Sequence, residues 1–478
     1  MNIGRIKAIF VTGFKSYLIY IFIFAIVIFA IQVPREKENI EEFSNDNFGL
    51  EKTKQDRVAL IESGENAVLV RLNLIENAQK SLDISYHSLI EGKSTEILLG
   101  SILDAADRGV GVRVLSDGVF HGFTGNLKEA LYGLGSHPNI KMRLYEPLKL
   151  LLPWNWNNRL HDKIIIADEK LALIGGRNIG DKYFREDVMQ DRFVKDRDVI
   201  IYKDESLEDP ASVIEDMENY YNRIWNHRYT KPAIKKLTSK QKTKGEVFND
   251  NLRHRYMEIK AEHLQDNTET DWYKKTMATE SVKFVYNPIG RVNQDPWCLR
   301  QLLFLSSRAE ESIFIQSPYI IPSRNMKAKF GQYDLDLEKI TMLTNSVSSS
   351  PNPMGIAGYF NNKKDIIDNG VKLYEYQGPD SIHSKTYIFD DTISVIGSFN
   401  LDARSSYINS ESMVVISSKE FTRNLKEEIQ VELNNSLIVD KDYSYIENED
   451  VEEGHVSTPK KIMIFFLSKL AWFLDYLL

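Results

Sequence analysis

Residues Arg159–Phe184 read RLHDKIIIADEKLALIGGRNIGDKYF, and the same pattern is spelled out again in Ile382–Glu411, IHSKTYIFDDTISVIGSFNLDARSSYINSE. His161, Lys163, Asp168, Gly175 and Asn178 recur as His383, Lys385, Asp390, Gly397 and Asn400, each pair 222 positions apart (383 − 161 for the histidines). At roughly 5% usage per residue type, five such coincidences at one offset arise by chance less than about once in a million trials. The chain carries two copies of one unit.

The residue types say what each copy offers. Strand alternation puts His161 and Lys163, or His383 and Lys385, on one face, with Ile164-Ile165-Ile166 and Tyr387-Ile388-Phe389 as the buried continuation. A turn at Asp168-Glu169 or Asp390-Asp391 leads into a second apolar strand, Leu171–Ile174 or Ile393–Ile396. That strand ends in Gly175-Gly176-Arg177-Asn178 or Gly397-Ser398-Phe399-Asn400, where glycine lets backbone approach a ligand. One imidazole, one ammonium and one amide thus gather at the open end of each hairpin. Two lysines and two asparagines suit a phosphate, and two histidines supply a nucleophile and a proton donor. Asp168 and Asp390 stand at the far end of their strands, so a structural part in the turn is expected.

The doubled spacing H-x-K-x(4)-D-x(6)-G-[GS]-x-N resembles the phospholipase D superfamily. The runs Gly175–Asp181 and Gly397–Ser405, with Asn409-x-Glu411, look like its bacterial cardiolipin synthase branch. The resemblance covers roughly Val58 to Leu433 and is far more specific for superfamily than for substrate. It implies two α/β sandwich domains related by pseudo-two-fold symmetry, with both histidines meeting one phosphate. It further implies His161 as nucleophile, His383 as acid and base, and Lys163, Lys385, Asn178 and Asn400 holding phosphate oxygens. Glu411 matches the family's partner for the second histidine. Aligning Glu411-x-x-Val414 on Asp196-x-x-Val199 nominates Asp196 for the first.

Composition narrows the class. The chain has 478 residues, is 42% hydrophobic and carries a formal charge of −8. It is long enough for two cores and too acidic for a general nucleic-acid binder. With the single cysteine Cys298 there is no disulfide framework, and no metal-spaced His/Cys cluster is seen. Chemistry without metal or cofactor is expected.

Along the chain, Tyr17–Val33 is 17 residues without a charge, followed by no small-x-small cleavage site, so residues 1–34 are expected to be an uncleaved transmembrane anchor. Arg5, Lys7 and Lys15 before it, against Arg35 and Lys37 after it, point to a cytoplasmic N-terminus and an extracytoplasmic catalytic region. A charged tether is expected over 35–57. The first phospholipase D-like domain follows over 58–229, with helices at Val68–Gln79, Thr95–Ala106 and Ala211–Trp225 and strands at Ser81–Tyr86, Gly111–Leu115, Asn139–Tyr145 and Asp198–Tyr202. A polar linker over 230–276 contains a helix at Asn251–Leu264. The second domain, 277–438, repeats the alternation: helices at Leu302–Ala309, around Lys363–Asp368 and at Phe421–Leu433, with strands at Ser312–Gln316, Ile340–Asn345 and Val371–Tyr376. Alternating elements mean an α/β fold. Residues 439–478 comprise an acidic segment and an apolar C-terminal helix, broken by Lys469 and Asp475, that reads as interfacial. A Leu/Trp-rich insertion, Pro147–Trp156, precedes the first motif and is expected either to touch acyl chains or to pack between domains. His87, His121, His137, His227, His254, His263 and His455 have no paired context and read as ordinary.

Anchor, apolar loop and acidic balance favour phospholipid headgroup chemistry over nucleic acid. The resemblance suggests transfer of a phosphatidyl group to phosphatidylglycerol, from a second phosphatidylglycerol or from phosphatidylethanolamine. Water as acceptor would make the protein a phospholipase D. A membrane-anchored nuclease is the rival from another class, and oligomeric state is open.

Overall fold

Each motif hairpin forms because its apolar runs are buried on both faces, the pattern of a strand at the centre of a covered sheet. Lys163–Ala167 and Leu171–Gly175 pair antiparallel in the first copy, as do Thr386–Phe389 and Ile393–Gly397 in the second. The computed structural model describes residues 3–31, 54–185, 193–206, 211–263, 270–333 and 335–478. Around the hairpins stand two eight-stranded sheets. The first runs, edge to edge, Arg57–Ile61, Asp198–Tyr202, Leu171–Gly175, Lys163–Ala167, Ser81–Tyr86, Gly111–Asp117, Ile140–Tyr145, Thr230–Pro232. The second runs Ser281–Tyr286, Ser412–Ser417, Ile393–Gly397, Thr386–Phe389, Ile313–Gln316, Ile340–Asn345, Lys372–Tyr376, Ser436–Ile438. Position for position the order is the same, so the duplication read in two short motifs extends to whole domains.

Alternation sorts the side chains. Ile165, Ala167 and Leu173 face the helices of their own domain, as do Tyr387, Phe389 and Val395 in the second. Ile164, Ile166, Ile174 and Val199 face the other way, into one core shared with Ile388, Ile396, Val414 and Ile416. The two inner sheet faces therefore bury each other, and the helices Val213–Trp225 and Lys419–Leu433 join the same core. Apolar burial of this extent, at about 25 cal/mol per Å², is what holds the halves together.

Polar ties cross that interface. Asp162, between His161 and Lys163, accepts from Ser412 Oγ (2.9 Å) and Tyr220 Oη (2.8 Å). Arg197, fully buried, donates to Glu62 of its own domain and to Gln316 (2.5 Å), Thr386 (2.9 Å) and Glu432 (3.2 Å) of the other. Arg197→Met leaves the buried Glu432 and Gln316 without this partner. A loss of about 3–5 kcal/mol of stability is expected in chemical denaturation; a loss under about 1 kcal/mol would mean that water replaces the guanidinium.

Several bounds differ from the sequence expectation. The segment read as a linker supplies the edge strand Thr230–Pro232 and a helix, Ser239–His263, whose Leu252 enters the first domain's core and whose buried Tyr256 lies against Gly100. Its apolar residues are too sparse to show a helical stripe, so the mean character looked like a connection. The N-terminal apolar helix lies within the expected anchor and begins well before the uncharged run Tyr17–Val33. It runs from Ile3 through a π-helical stretch, Phe22–Val27, to Ile31, and Arg5–Ile31, 27 residues, is long and apolar enough to be a candidate membrane span. Most of the expected tether, up to residue 53, lies outside the described residues, as do residues 32–34.

The Leu/Trp insertion is where that helix lands. Tyr17 and Tyr20 donate to the carbonyls of Leu150 (2.8 Å) and Leu151 (2.7 Å), and Phe24 meets Trp154 edge-on at 5.7 Å. Leu148, Leu150 and Leu151 remain exposed around the contact. At the other terminus, the helix Thr458–Phe473 buries Ile464, Ser468 and Ala471 and packs on the helix Pro353–Asp368, where Asn361 donates to the Ser468 carbonyl (2.7 Å). Its opposite face exposes Phe465, Phe466, Leu470, Trp472 and Phe473. Arg404 joins the two ends: its guanidinium donates to the carbonyls of Leu477 (3.0 Å) and Asn157 (3.2 Å), while Asn157 donates to Ala25 O (2.6 Å).

Candidate active site

Each histidine sits just ahead of its central strand, in a short extended segment that pairs with the other domain. His161 N donates to Ser410 O (3.1 Å), and His383 N to Lys195 O (2.7 Å). Ser381–Ile382 and Val194–Lys195 form a two-residue parallel ladder across the interface. Asp117 and Asn345, buried at the ends of equivalent strands, hold the preceding residue: Asp117 Oδ2 accepts from Leu160 N (3.0 Å), and Asn345 Oδ1 from Ile382 N (2.9 Å). Neither was legible in the motifs, because the pair is an Asp and an Asn at a different spacing from the 222-residue repeat.

The carboxylates cross over. His161 Nδ1 lies 2.8 Å from Glu411 Oε2, and His383 Nδ1 lies 2.6 Å from Asp196 Oδ2. The sequence alignment paired each histidine with the acid of its own half, and the structure corrects this. In each sheet the strand following the acid lies two strands away from the histidine's strand, a separation of about 10 Å at about 4.8 Å per strand. An imidazole cannot hydrogen-bond over that distance, whereas the pseudo-two-fold partner's acid is brought directly against it.

The motif glycines make room for this exchange. A Cβ on Gly176 would lie 2.1 Å from Asp196 Oδ1. At the matching position Ser398 instead donates to Glu411 Oε2 (2.5 Å), and a Cβ on Gly397 would lie 2.3 Å from Ser412 O. For Gly175 the close neighbour is Asp198, whose carboxylate takes Arg71 and Arg177 at 2.9 Å each and so fixes the loop that carries Asn178. Asp168 accepts from the backbone N–H groups of Gln79, Lys80 and Ser81 at 2.7–2.9 Å, and Asp390 from those of Glu310, Glu311 and Ser312 at 2.7–3.0 Å. Both aspartates have positive φ (54° and 48°), a conformation that Asp tolerates better than most residues. They tie the hairpin turn to the neighbouring strand, remote from the imidazoles.

Lys163 Nζ donates to His161 O (2.6 Å); Lys385 Nζ bonds the His383 carbonyl and lies 2.8 Å from His383 Nδ1. Asn178 donates to Tyr183 Oη (3.2 Å), and the buried Oδ1 atoms of Asn178 and Asn400 have no hydrogen-bond partner. Burial pushes His161 well below the ordinary histidine range, with Lys163, Lys385 and His383 adding repulsion. His383 falls to about 4 by burial and by Lys385, with Asp196 opposing. Lys163 drops to about 7 and Lys385 to about 8, burial first in both. Glu411 rises to about 7 because it is buried, although Lys163 opposes. At Asp196 burial pushes upward, yet Lys385 and His383 together hold the carboxyl below its usual range. The two histidines and two lysines lie close enough for each to disfavour charge on its neighbours, so an anion bound among them would favour their protonated forms.

His87 was read as ordinary, but its ring lies 5.0 Å from that of His161 and its Nδ1 lies 2.6 Å from Leu160 O. Burial first, and then His161 and Lys163, lower it to about 3 and keep it neutral. Only its place at the end of Ser81–Tyr86, beside the motif strand in the sheet, could have marked it. The ring of Tyr183 stands 5.8 Å from that of His383.

Known proteins resemble this chain in sequence and in fold. A family model described as cardiolipin synthase, PLD-like domain, matches residues 72–225 and 303–432. Cardiolipin synthase C of Escherichia coli (strain K12) is 29% identical over 398 residues, 75% of this chain and 81% of that protein. A cardiolipin synthase of Staphylococcus aureus (strain Mu50) is 24% identical over 405 residues, 83% of this chain and 71% of that protein. Among solved structures, phosphatidylserine synthase of Haemophilus influenzae Rd KW20 superposes with a TM-score of 0.62 at 14% identity, covering 91% of this chain and all of that one, a likeness of fold.

Proposed function

The chain belongs to the family of the cardiolipin synthase, phospholipase D-like domain, and from that premise we propose that it is a phosphatidyltransferase making cardiolipin from phosphatidylglycerol. The observation that carries the reading is the pair of histidines, each held at Nδ1 by a carboxylate of the opposite domain, in one pocket with two lysines. Nδ1 donating to a carboxylate leaves Nε2 free to act on a phosphate.

His161 Nε2 attacks phosphorus in line, and the bond from phosphorus to the headgroup oxygen breaks. His383 gives its proton to that oxygen as the alcohol departs. The phosphatidyl group is then carried on His161. His383 next takes the proton from the hydroxyl of an acceptor phosphatidylglycerol, whose oxygen displaces His161 from phosphorus. With phosphatidylglycerol as donor the balance is two phosphatidylglycerols in, cardiolipin and glycerol out. Lys163 and Lys385 neutralise the phosphate oxygens, aided by Asn178 and Asn400, and the anion in turn restores the lysines' full charge. The assignment of His161 as nucleophile follows the family resemblance; burial favours the neutral imidazole at both histidines, and at His383 Asp196 acts against it.

Labelled phosphatidylglycerol in vesicles is expected to yield labelled cardiolipin and free glycerol. Phosphatidic acid as the sole product would identify a phospholipase D, and cleavage of single-stranded DNA with no lipid product would identify a nuclease.

The membrane is the natural place for both substrates. The apolar N-terminal helix is about 40 Å long at about 1.5 Å per residue, and its contacts at Tyr17, Tyr20, Phe24 and Ala25 keep it beside the protein along its second half. Arg404 ties Asn157, just after the insertion, to Leu477, just after the helix Thr458–Phe473, and both segments expose apolar side chains. These apolar side chains are the groups that would rest in the lipid interface. Vesicles with brominated acyl chains are expected to quench the protein's tryptophan fluorescence, and Trp472→Phe to remove a share of that quenching. Unchanged quenching in the variant would take the C-terminal helix off the membrane.

A further inference from the structure

The two domains are equivalent strand for strand, yet the connections between the strands differ, and one of these differences opens space. In the first, the chain between Ser81–Tyr86 and Gly111–Asp117 forms the 15-residue helix Lys93–Asp107, which buries Leu98, Leu99, Ile102, Leu103, Ala105 and Ala106 against its sheet. In the second, the connection between Ile313–Gln316 and Ile340–Asn345 is of nearly equal length, but its helix is the seven-residue Arg324–Phe330. Beyond Phe330, among the described residues, no helix follows until the short 3-10 turn Leu337–Lys339.

A cavity of about 410 Å³ occupies the same face of the second sheet. Its walls are apolar, with Leu299 and Leu303 from one helix, Ile315 and Met342 from the sheet, and Ile366 from another helix. Tyr387 and Leu401 line it toward the active site, and the exposed Asp365 and Asn369 mark its outer rim. The cavity is half open to solvent, and its apolar walls offer water few hydrogen-bond partners. An apolar space of this size with a few polar groups at one end has the character of a ligand site.

Its position relates it to the catalytic strand. His383, Lys385 and Tyr387 alternate onto one face, so Tyr387 lies about 13 Å from His383 at about 3.3 Å per residue. Leu401 directly follows Asn400 and pairs with Ile320, another lining residue. We propose that this cavity binds one long aliphatic chain, either an acyl chain of the phospholipid whose phosphate lies at the paired histidines or a free fatty acid. The substrate source rests on the phosphatidyl-transfer reading; the site itself does not.

The test uses the full-length protein and two variants that place bulk in the cavity, Leu303→Trp and Ser306→Phe. Fluorescent cis-parinaric acid is expected to bind the wild type saturably, and each variant to weaken that binding about tenfold or more through lost apolar burial. In parallel, kinetics are compared on dioleoyl- and dihexanoyl-phosphatidylglycerol. A KM raised about tenfold for the long-chain lipid alone, with kcat unchanged, identifies the chain as the substrate's. Lost parinaric acid binding with both substrates handled as before identifies a free fatty acid. No saturable binding to the wild type, with unchanged kinetics in folded variants, overturns the site. If the wild type transfers neither lipid, the transferase reading fails, and the parinaric acid titration still decides the cavity.

Discussion

His161→Ala and His383→Ala are each expected to reduce turnover of phosphatidylglycerol about ten-thousandfold, because one removes the group that would bond to phosphorus and the other the proton donor to the leaving alcohol. The two losses separate on a substrate whose headgroup is p-nitrophenol, which departs without a proton. On that ester His383→Ala is expected to release one equivalent of nitrophenolate in a burst and to accumulate a phosphatidylated protein, since its deficiency is confined to proton transfer. His161→Ala is expected to give no burst. A burst in His161→Ala with none in His383→Ala would exchange the two roles. Near-normal turnover by either variant would end the case for a shared site.

Asp196→Asn and Glu411→Gln are expected to lower turnover about a hundredfold to a thousandfold, as an amide no longer fixes the tautomer or supports the imidazolium. Because the acids cross between domains, their phenotypes follow the opposite domain's histidine. Asp196→Asn, acting through His383, is expected to behave like His383→Ala on the p-nitrophenyl ester and to keep its burst. Glu411→Gln, acting through His161, is expected to lose it. Pairing within each domain predicts the reverse pattern, so one burst measurement on each variant decides the connectivity. The proximity of Ser398 and Asn409 to Glu411 (2.5 and 3.2 Å) means that Glu411→Gln also disturbs a local network. Burst amplitude, not steady-state rate, is therefore the informative readout.

Much of the site was legible because its residues are held by local pattern. His161 and Lys163 are two apart on an extended segment, so alternation alone places them together. Asp168 and Asp390 were expected in the turn from their distance along the strand, and the three backbone N–H groups that each receives explain why a carboxylate is needed there. The Leu/Trp insertion stood out by composition, but its contact with Tyr17, Tyr20 and Phe24 spans more than a hundred residues and left no mark in the local pattern. His87 was passed over for a related reason. It directly follows a strand whose neighbour in the sheet is nearly eighty residues away in the chain, and adjacency across a sheet carries no periodicity.

The amino-acid sequence by itself determined that there are two like domains, that each contributes an imidazole and an ammonium to one end of a buried hairpin, and that an apolar helix precedes them. These are short-range properties, written in spacing and in strand alternation. Only the tertiary structure decided which carboxylate serves which histidine, that the presumed linker belongs to the first domain's core, and that a shortened helix leaves the second domain a cavity. Those depend on the pseudo-two-fold packing of two sheets. Facing strands across an interface brings groups of opposite halves within hydrogen-bonding distance, while two strand spacings, about 10 Å, keep apart groups of the same half.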